Sequence, residues 1–158
     1  MYELFLTLHN LLRWVIVLAG VFLLVRSAMG LGKNKDWGKN IMSSMRWYTL
    51  AMDIELTLGL ILYFGYSPLT QAIFQNFFTA MQIPLMRFYG INHVLLMLTA
   101  LVLAHIGHSR VKKALTATQK YQQTLLWFGL SFTVLLCAIP WPFLSVGRPI
   151  LRLFGFSF

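Results

Sequence analysis

IPLMRFYGINHVLLMLTALVLAHIGH, residues 83–108, decides the fold class. From Phe88 to Gly107 it contains no Asp, Glu, Lys or Arg, and that length is about what a helix needs to cross a hydrocarbon core of roughly 30 Å. The same stretch carries three of the four histidines in the chain. Ionisable groups inside an apolar span are costly to bury, so they are functional candidates by default. His93 is the first of them.

Outward from this stretch the rest of the chain has the same character. Of 158 residues, 58% are hydrophobic and only 11% charged, against about a quarter charged in a soluble domain. Four apolar segments account for most of it: about Leu4–Val25, Trp47–Tyr66, Phe88–Gly107 and Thr124–Leu144. No room is left for a soluble domain. The expectation is an all-α, polytopic membrane four-helix up-down bundle, one domain over residues 1–158.

A net charge of +9 raises nucleic acid as a partner, and its distribution argues against that. Arg26, Lys33, Lys35, Lys39 and Arg46 fall between segments one and two; Arg110, Lys112, Lys113 and Lys120 fall between three and four. Basic residues in short alternate loops mark the cytoplasmic side. This predicts a multi-pass protein of the bacterial inner membrane with both termini outside, the lipid bilayer its first partner. Arg87, Arg148 and Arg152 belong to the outer side. The loop 26–46 reads as a solvated turn and a docking surface for anionic lipid. Segment one lacks a basic leader (Glu3 is acidic) and a small-x-small cleavage site, so it reads as a retained span. A lone Cys137 excludes an internal disulfide and a cysteine-rich metal site.

His9 lies about 7–8 Å along segment one if the helix starts near Leu4, and Arg13 is one turn below it on the same face. His93 lies about 8 Å below Phe88 by the same rise per residue. Segments one and three run in the same direction, so in an up-down bundle they are diagonal and can set two imidazoles across the centre. Two neutral imidazoles facing each other in apolar surroundings suit the axial positions of haem iron. The haem propionates then need cations near the membrane edge, and Arg13 and Arg87 have the right charge and depth. Taken singly, His9 and Arg13 also read as a helix-bonding histidine and a snorkelling arginine.

Segment two places Asp53 and Glu55 in its inner half. Two residues apart they point roughly 200° apart on a helix, which rules out a single carboxylate pair. One reading gives Asp53 a contact with Arg46; another has one acid facing the interior to handle protons or a polar ligand. His105 and His108 sit at the inner end of segment three. They read either as interfacial histidines or, with Asp53 or Glu55, as a proton or quinone site. No other span has a histidine at that depth, so a second bis-histidine pair is not expected.

Between Ser67 and Leu85, Ile73, Phe74, Phe77, Phe78 and Met81 recur at helical spacing opposite Gln71, Gln75, Asn76 and Thr79, predicting a short amphipathic helix in the outer interface. Gly20 invites close helix approach. Pro140 and Pro142 around Trp141 break segment four at the outer interface. The tail to Phe158 is expected along the outer headgroups or against a partner protein. No nucleotide loop, catalytic triad, zinc motif or internal repeat is present.

The stretches LHNLLRW (8–14), LTLGLILYF (56–64), MRFYGINHVLLMLTALVLAHIGHSR (86–110) and AIPWPF (138–143) resemble a family of small Bacteroidetes-type four-helix membrane proteins labelled cytochrome b-like. The resemblance covers essentially the whole chain. Its most specific patterns are His–Asn–x–x–Arg–Trp and Arg–Phe–x–Gly–x–x–His. It implies His9 and His93 as signature positions, accompanied by Arg13 and Arg87. The family pattern has an acid just before the second histidine, where this chain has Asn92.

The leading expectation is a membrane-embedded carrier of one haem b, ligated by His9 and His93 and exchanging electrons with a quinone or with a membrane or periplasmic redox protein. An electron-transfer role is favoured over a stand-alone enzyme. Two others stay open: a haem-free accessory subunit of a larger membrane complex, and a quinone-reactive oxidoreductase using Asp53, Glu55, His105 and His108. A homo-oligomer is compatible with each.

Overall fold

Hydropathy and the prolines set the helices. The structure, a computed structural model, describes residues 1–33, 35–154 and 156–157. Helix α1 runs Tyr2–Gly32 and α2 runs Lys39–Ile61, passing without a break into a π-turn at Leu62–Tyr66. Pro84 opens α5 (Pro84–Arg87), which continues through a second π-turn at Phe88–Asn92 into α6 (His93–Lys113). Helix α7 (Ala117–Ala138) starts at a capping box in which Thr116 and Gln119 each satisfy the other's backbone N–H.

Three of these continuous helical stretches are long and apolar enough to cross a membrane: Tyr2–Gly32, Lys39–Tyr66 and Pro84–Lys113. Their outward faces are apolar, with Leu18, Phe22, Leu95 and Val102 all more than half exposed. A belt of that kind belongs against lipid rather than water. The fourth apolar segment differs from the expected Thr124–Leu144. Its helix starts earlier, at a polar Gln- and Lys-bearing turn, and stops at Ala138, because Pro140 holds Ile139 extended.

Helix α1 packs on α2 and α7, and α6 packs on the same two, which leaves α1 and α6 facing each other across the middle. The core lies along that axis: Ile16 and Leu23 from α1, Met45, Tyr48 and Met52 from α2, Ala100 and Ala104 from α6, Phe128 and Leu135 from α7. A buried polar chain ties three helices together. The Tyr48 hydroxyl meets Ser131 Oγ at 3.2 Å, and Ser131 donates to the Ala100 carbonyl at 2.7 Å. Small residues bring the helices close. A Cβ on Gly20 would stand 2.5 Å from the Phe132 ring, and one on Gly107 would stand 2.7 Å from Trp127 Cβ.

The single amphipathic helix expected between Ser67 and Leu85 is two shorter ones, α3 (Pro68–Gln75) and α4 (Phe77–Ala80), divided at Asn76, whose backbone leaves the helical region. Ile73 is fully buried under this cap while Phe78 is 88% exposed, so the apolar residues split between the bundle and the outside.

The tail, expected along the outer headgroups or against a partner protein, folds back onto α1. The Ile150 carbonyl accepts from Arg13 Nη2 at 2.7 Å and from Trp14 Nε1 at 2.9 Å. The Arg152 amide donates to Asn10, its guanidinium to Glu3 at 2.9 Å, and the Phe154 amide to Thr7. A two-residue antiparallel pair, β1 (Arg152–Leu153) with β2 (Phe156–Ser157), closes the strap, with Phe154 in the left-handed region at its turn.

Candidate functional site

The ends of four helices and the strap enclose one cavity of about 160 Å³, walled by Leu6, Ile16, Leu56, Met97 and Leu135 and rimmed by polar groups. His9 and His93 both line it. Their ring centroids are 6.3 Å apart and their planes 80° apart.

The orientation of His93 follows from the prolines of α7. In a helix each carbonyl accepts from the N–H four residues on. For Leu136 and Ala138 those residues are Pro140 and Pro142, which have none. Both freed carbonyls find side-chain donors instead. Trp141 Nε1 donates to Leu136 at 2.9 Å, and the Ala138 carbonyl lies 2.8 Å from His93 Nδ1. A carbonyl only accepts, so His93 carries its proton on Nδ1 and keeps the Nε2 lone pair free. The π-turn Phe88–Asn92, immediately before His93, is the other positioning element, since such turns shift the helical register locally.

His9 is placed against α2. Its Nδ1 stands 3.3 Å from Oε1 of Glu55, a carboxylate only 2% exposed. The two are close without hydrogen-bonding alignment, and Glu55 Oε2 has no side-chain or backbone partner among the described residues. Gly59, one turn along from Glu55, presents its bare Cα to the His9 ring, where a Cβ would make ordinary contact at 3.4 Å.

Three arginines line the cavity: Arg13 from α1, and Arg148 and Arg152 from the tail. Arg148 lies over the Tyr89 ring at 4.7 Å and donates to its hydroxyl at 3.1 Å. Burial works against its charge, and the neighbouring Tyr89 and Tyr2 phenols more than offset this, raising its pKa. The Nε atoms of Arg13 and Arg152 are buried without a partner among the described residues. Arg87, expected here, is exposed and does not line the cavity. It belongs to the short turn of helix before the π-turn, which aims it outward. The cations that replace it come from the tail. The signal was in the sequence, Arg148 and Arg152 among aromatics beyond two prolines, but only the folded-back strap gives them a direction.

The four residues considered for an inner site do not converge. Glu55 joins His9 in the cavity just described. Asp53, on the other side of α2 as its two-residue offset requires, contacts His105 Nε2 at 2.9 Å with both side chains about half exposed. His108 lies near Arg46 and Lys112, its Nδ1 without a partner among the described residues. No group of three or more His, Cys, Asp or Glu side chains that could hold a metal ion occurs among the described residues.

Two imidazoles binding one metal ion between them at about 2.0–2.1 Å each would set their centroids roughly 6 Å apart, so the observed spacing fits a shared ion with two nitrogen ligands. Comparison with protein-family models, curated proteins and solved structures returns no match for this chain. The functional argument therefore rests on the chemistry of this cavity.

Proposed function

We propose that this chain is a four-helix up-down membrane bundle that holds one b-type haem between His9 and His93. A single observation carries the reading: two imidazoles from opposite helices, 6.3 Å apart, with His93 Nδ1 on the Ala138 carbonyl and His9 Nδ1 3.3 Å from Glu55. Histidines that bind metal characteristically spend their second nitrogen on a hydrogen bond, as His93 does. His9 and His93 would hold the group, which would then supply one-electron transfer rather than oxygen activation.

The chain's own residues have separable tasks. The Ala138 carbonyl orients the His93 ring, and the Glu55 carboxylate lies beside His9. Leu56, Met97 and Leu135 give the cavity apolar walls. Arg13, Arg148 and Arg152 offer cations at its rim, suited to a pair of carboxylates. At about 160 Å³ the cavity is smaller than the roughly 300–1,000 Å³ of filled ligand pockets, so holding a macrocycle would require walls such as Leu56 and Met97 to rotate aside.

Basic residues in the turns after α1 and α6 support an inner-membrane placement with the haem near the outer face. The partner is then a quinone or a membrane or periplasmic redox protein. The half-exposed Asp53–His105 pair favours the quinone, since a polar pair on a lipid-facing helix surface can exchange hydrogen bonds and protons with a quinone head group.

The test is haem content. Protein purified from haem-replete cells should carry one haem b per chain by the pyridine haemochrome assay, and His9→Ala and His93→Ala should each abolish it while keeping their helical content. A colourless, folded wild-type protein would favour a haem-free accessory subunit.

A further inference from the structure

We propose that the turn between α1 and α2 contains a binding site for the headgroup of an anionic phospholipid. This inference rests on the chain being a membrane protein and is independent of haem.

A second cavity, about 220 Å³, lies at the opposite end of the molecule from His9 and His93. Arg26, Lys35 and Lys39 line it against a single acid, Asp36. The first turn of α2 opens onto it at Gly38 and Asn40. That turn has no side-chain cap and no acidic residue; the Ile41 and Met42 amides return to the Gly38 carbonyl, which leaves the Lys39 and Asn40 amides without a side-chain acceptor among the described residues. Three cations around uncapped amides are a receptacle for a phosphate.

The turn is held in shape. Tyr121 of α7 donates to the Asp36 carbonyl at 3.0 Å and packs against Trp37 with centroids 5.0 Å apart. Gly30 has no Cβ because the Tyr121 ring fills that space. The Lys35 amide returns to the Gly30 carbonyl at 3.0 Å. The solvated turn expected from the sequence is a pinned one.

A third cavity, about 340 Å³, shares Arg26, Asn40 and Ile41 with the second and continues along the α1–α2 groove past Phe22, Ser44 and Trp47. Phe22 is 54% exposed and Trp47 66%, both on the outward apolar belt. A free phosphate has no use for an aromatic groove leading away from its site toward lipid. A diacyl phosphate ester has: headgroup among the cations, glycerol at the serines, acyl chains between Phe22 and Trp47. The tryptophan is also where interfacial aromatics concentrate. Arg26, stacked over Phe22 at 5.8 Å, belongs to both cavities and marks the junction.

The experiment uses the full-length protein in neutral detergent, titrated with phosphatidylglycerol, phosphatidylcholine or inorganic phosphate and read by native mass spectrometry. One phosphatidylglycerol should bind saturably per chain, at least ten-fold tighter than phosphatidylcholine. Each cation near an anionic headgroup is worth about five-fold in affinity, so Arg26→Gln with Lys39→Gln should weaken binding on the order of 25-fold. Lys112→Gln with Lys113→Gln removes the same charge from the other basic turn and should change it less than two-fold. Trp47→Ala should weaken the lipid alone. These side chains are exposed, so the variants keep the fold. Equal loss from the two charge-matched double variants would overturn the site, as would an unchanged affinity in the first. Inorganic phosphate binding as tightly as lipid would overturn the lipid assignment.

Discussion

Tyr63 donates its hydroxyl to the Gly90 carbonyl at 2.6 Å and so joins the two π-turns of the molecule, one ending α2 and one leading into His93. This bond sets the register of the helix that carries the histidine. Tyr63→Phe leaves the fold intact and should cost about 1 kcal/mol, as single hydrogen bonds between membrane helices do. Unfolding in mixed detergent, followed by circular dichroism, checks this. An unchanged transition would mean that the π-turn is set by its own sequence.

Two prolines free the carbonyl that orients His93. Pro140→Ala with Pro142→Ala lets α7 run on and supplies backbone donors to Leu136 and Ala138, so His93 loses its acceptor to competition. Haem affinity should fall about 10–100-fold, the usual cost of losing such an outer partner. Titration of the haem-free protein with haemin measures it. Equal affinity would show that Ala138 is not needed to hold the ring.

Glu55 and Asp53 separate by function. Glu55→Ala removes the carboxylate beside His9 and should also lower haem affinity about 10–100-fold. Asp53→Asn touches only the His105 contact and should leave it unchanged. The reverse pattern would move the candidate site to the inner end of the molecule.

Most of the helical architecture is legible in the sequence, because span length and charge-free runs are properties of the chain alone. The apolar runs locate α1, α2 and α6, and the depth count brings His9 and His93 to one level. What the sequence leaves undecided is direction. Glu55 could face either way until α1 packed against α2. Arg87 has the right depth and the wrong azimuth. Arg148 and Arg152 lie beyond the last helix, and nothing local says that the tail returns to α1. The end of α7 comes closest: Pro140 and Pro142 read as helix breakers, and their further effect, two freed carbonyls, follows from the same missing N–H.

Gly107 sits where α6 meets α7, and a Cβ there would press on Trp127 and Phe128. Gly107→Val should destabilise the fold by about 1–3 kcal/mol, the range for overpacking. Gly129→Ala, where a Cβ meets nothing, should not. Paired unfolding curves in detergent settle the comparison, and equal effects would contradict the packing described here.

The electron paramagnetic resonance spectrum of the oxidised, purified protein bears most directly on the central claim. Iron held by two imidazoles whose planes stay 80° apart would have nearly equal π-type orbitals and give a strongly anisotropic low-spin signal. The expected result is that signal in the wild type and its loss in both His9→Ala and His93→Ala. A high-spin signal in the wild type, or no haem signal at all, would contradict ligation by these two histidines.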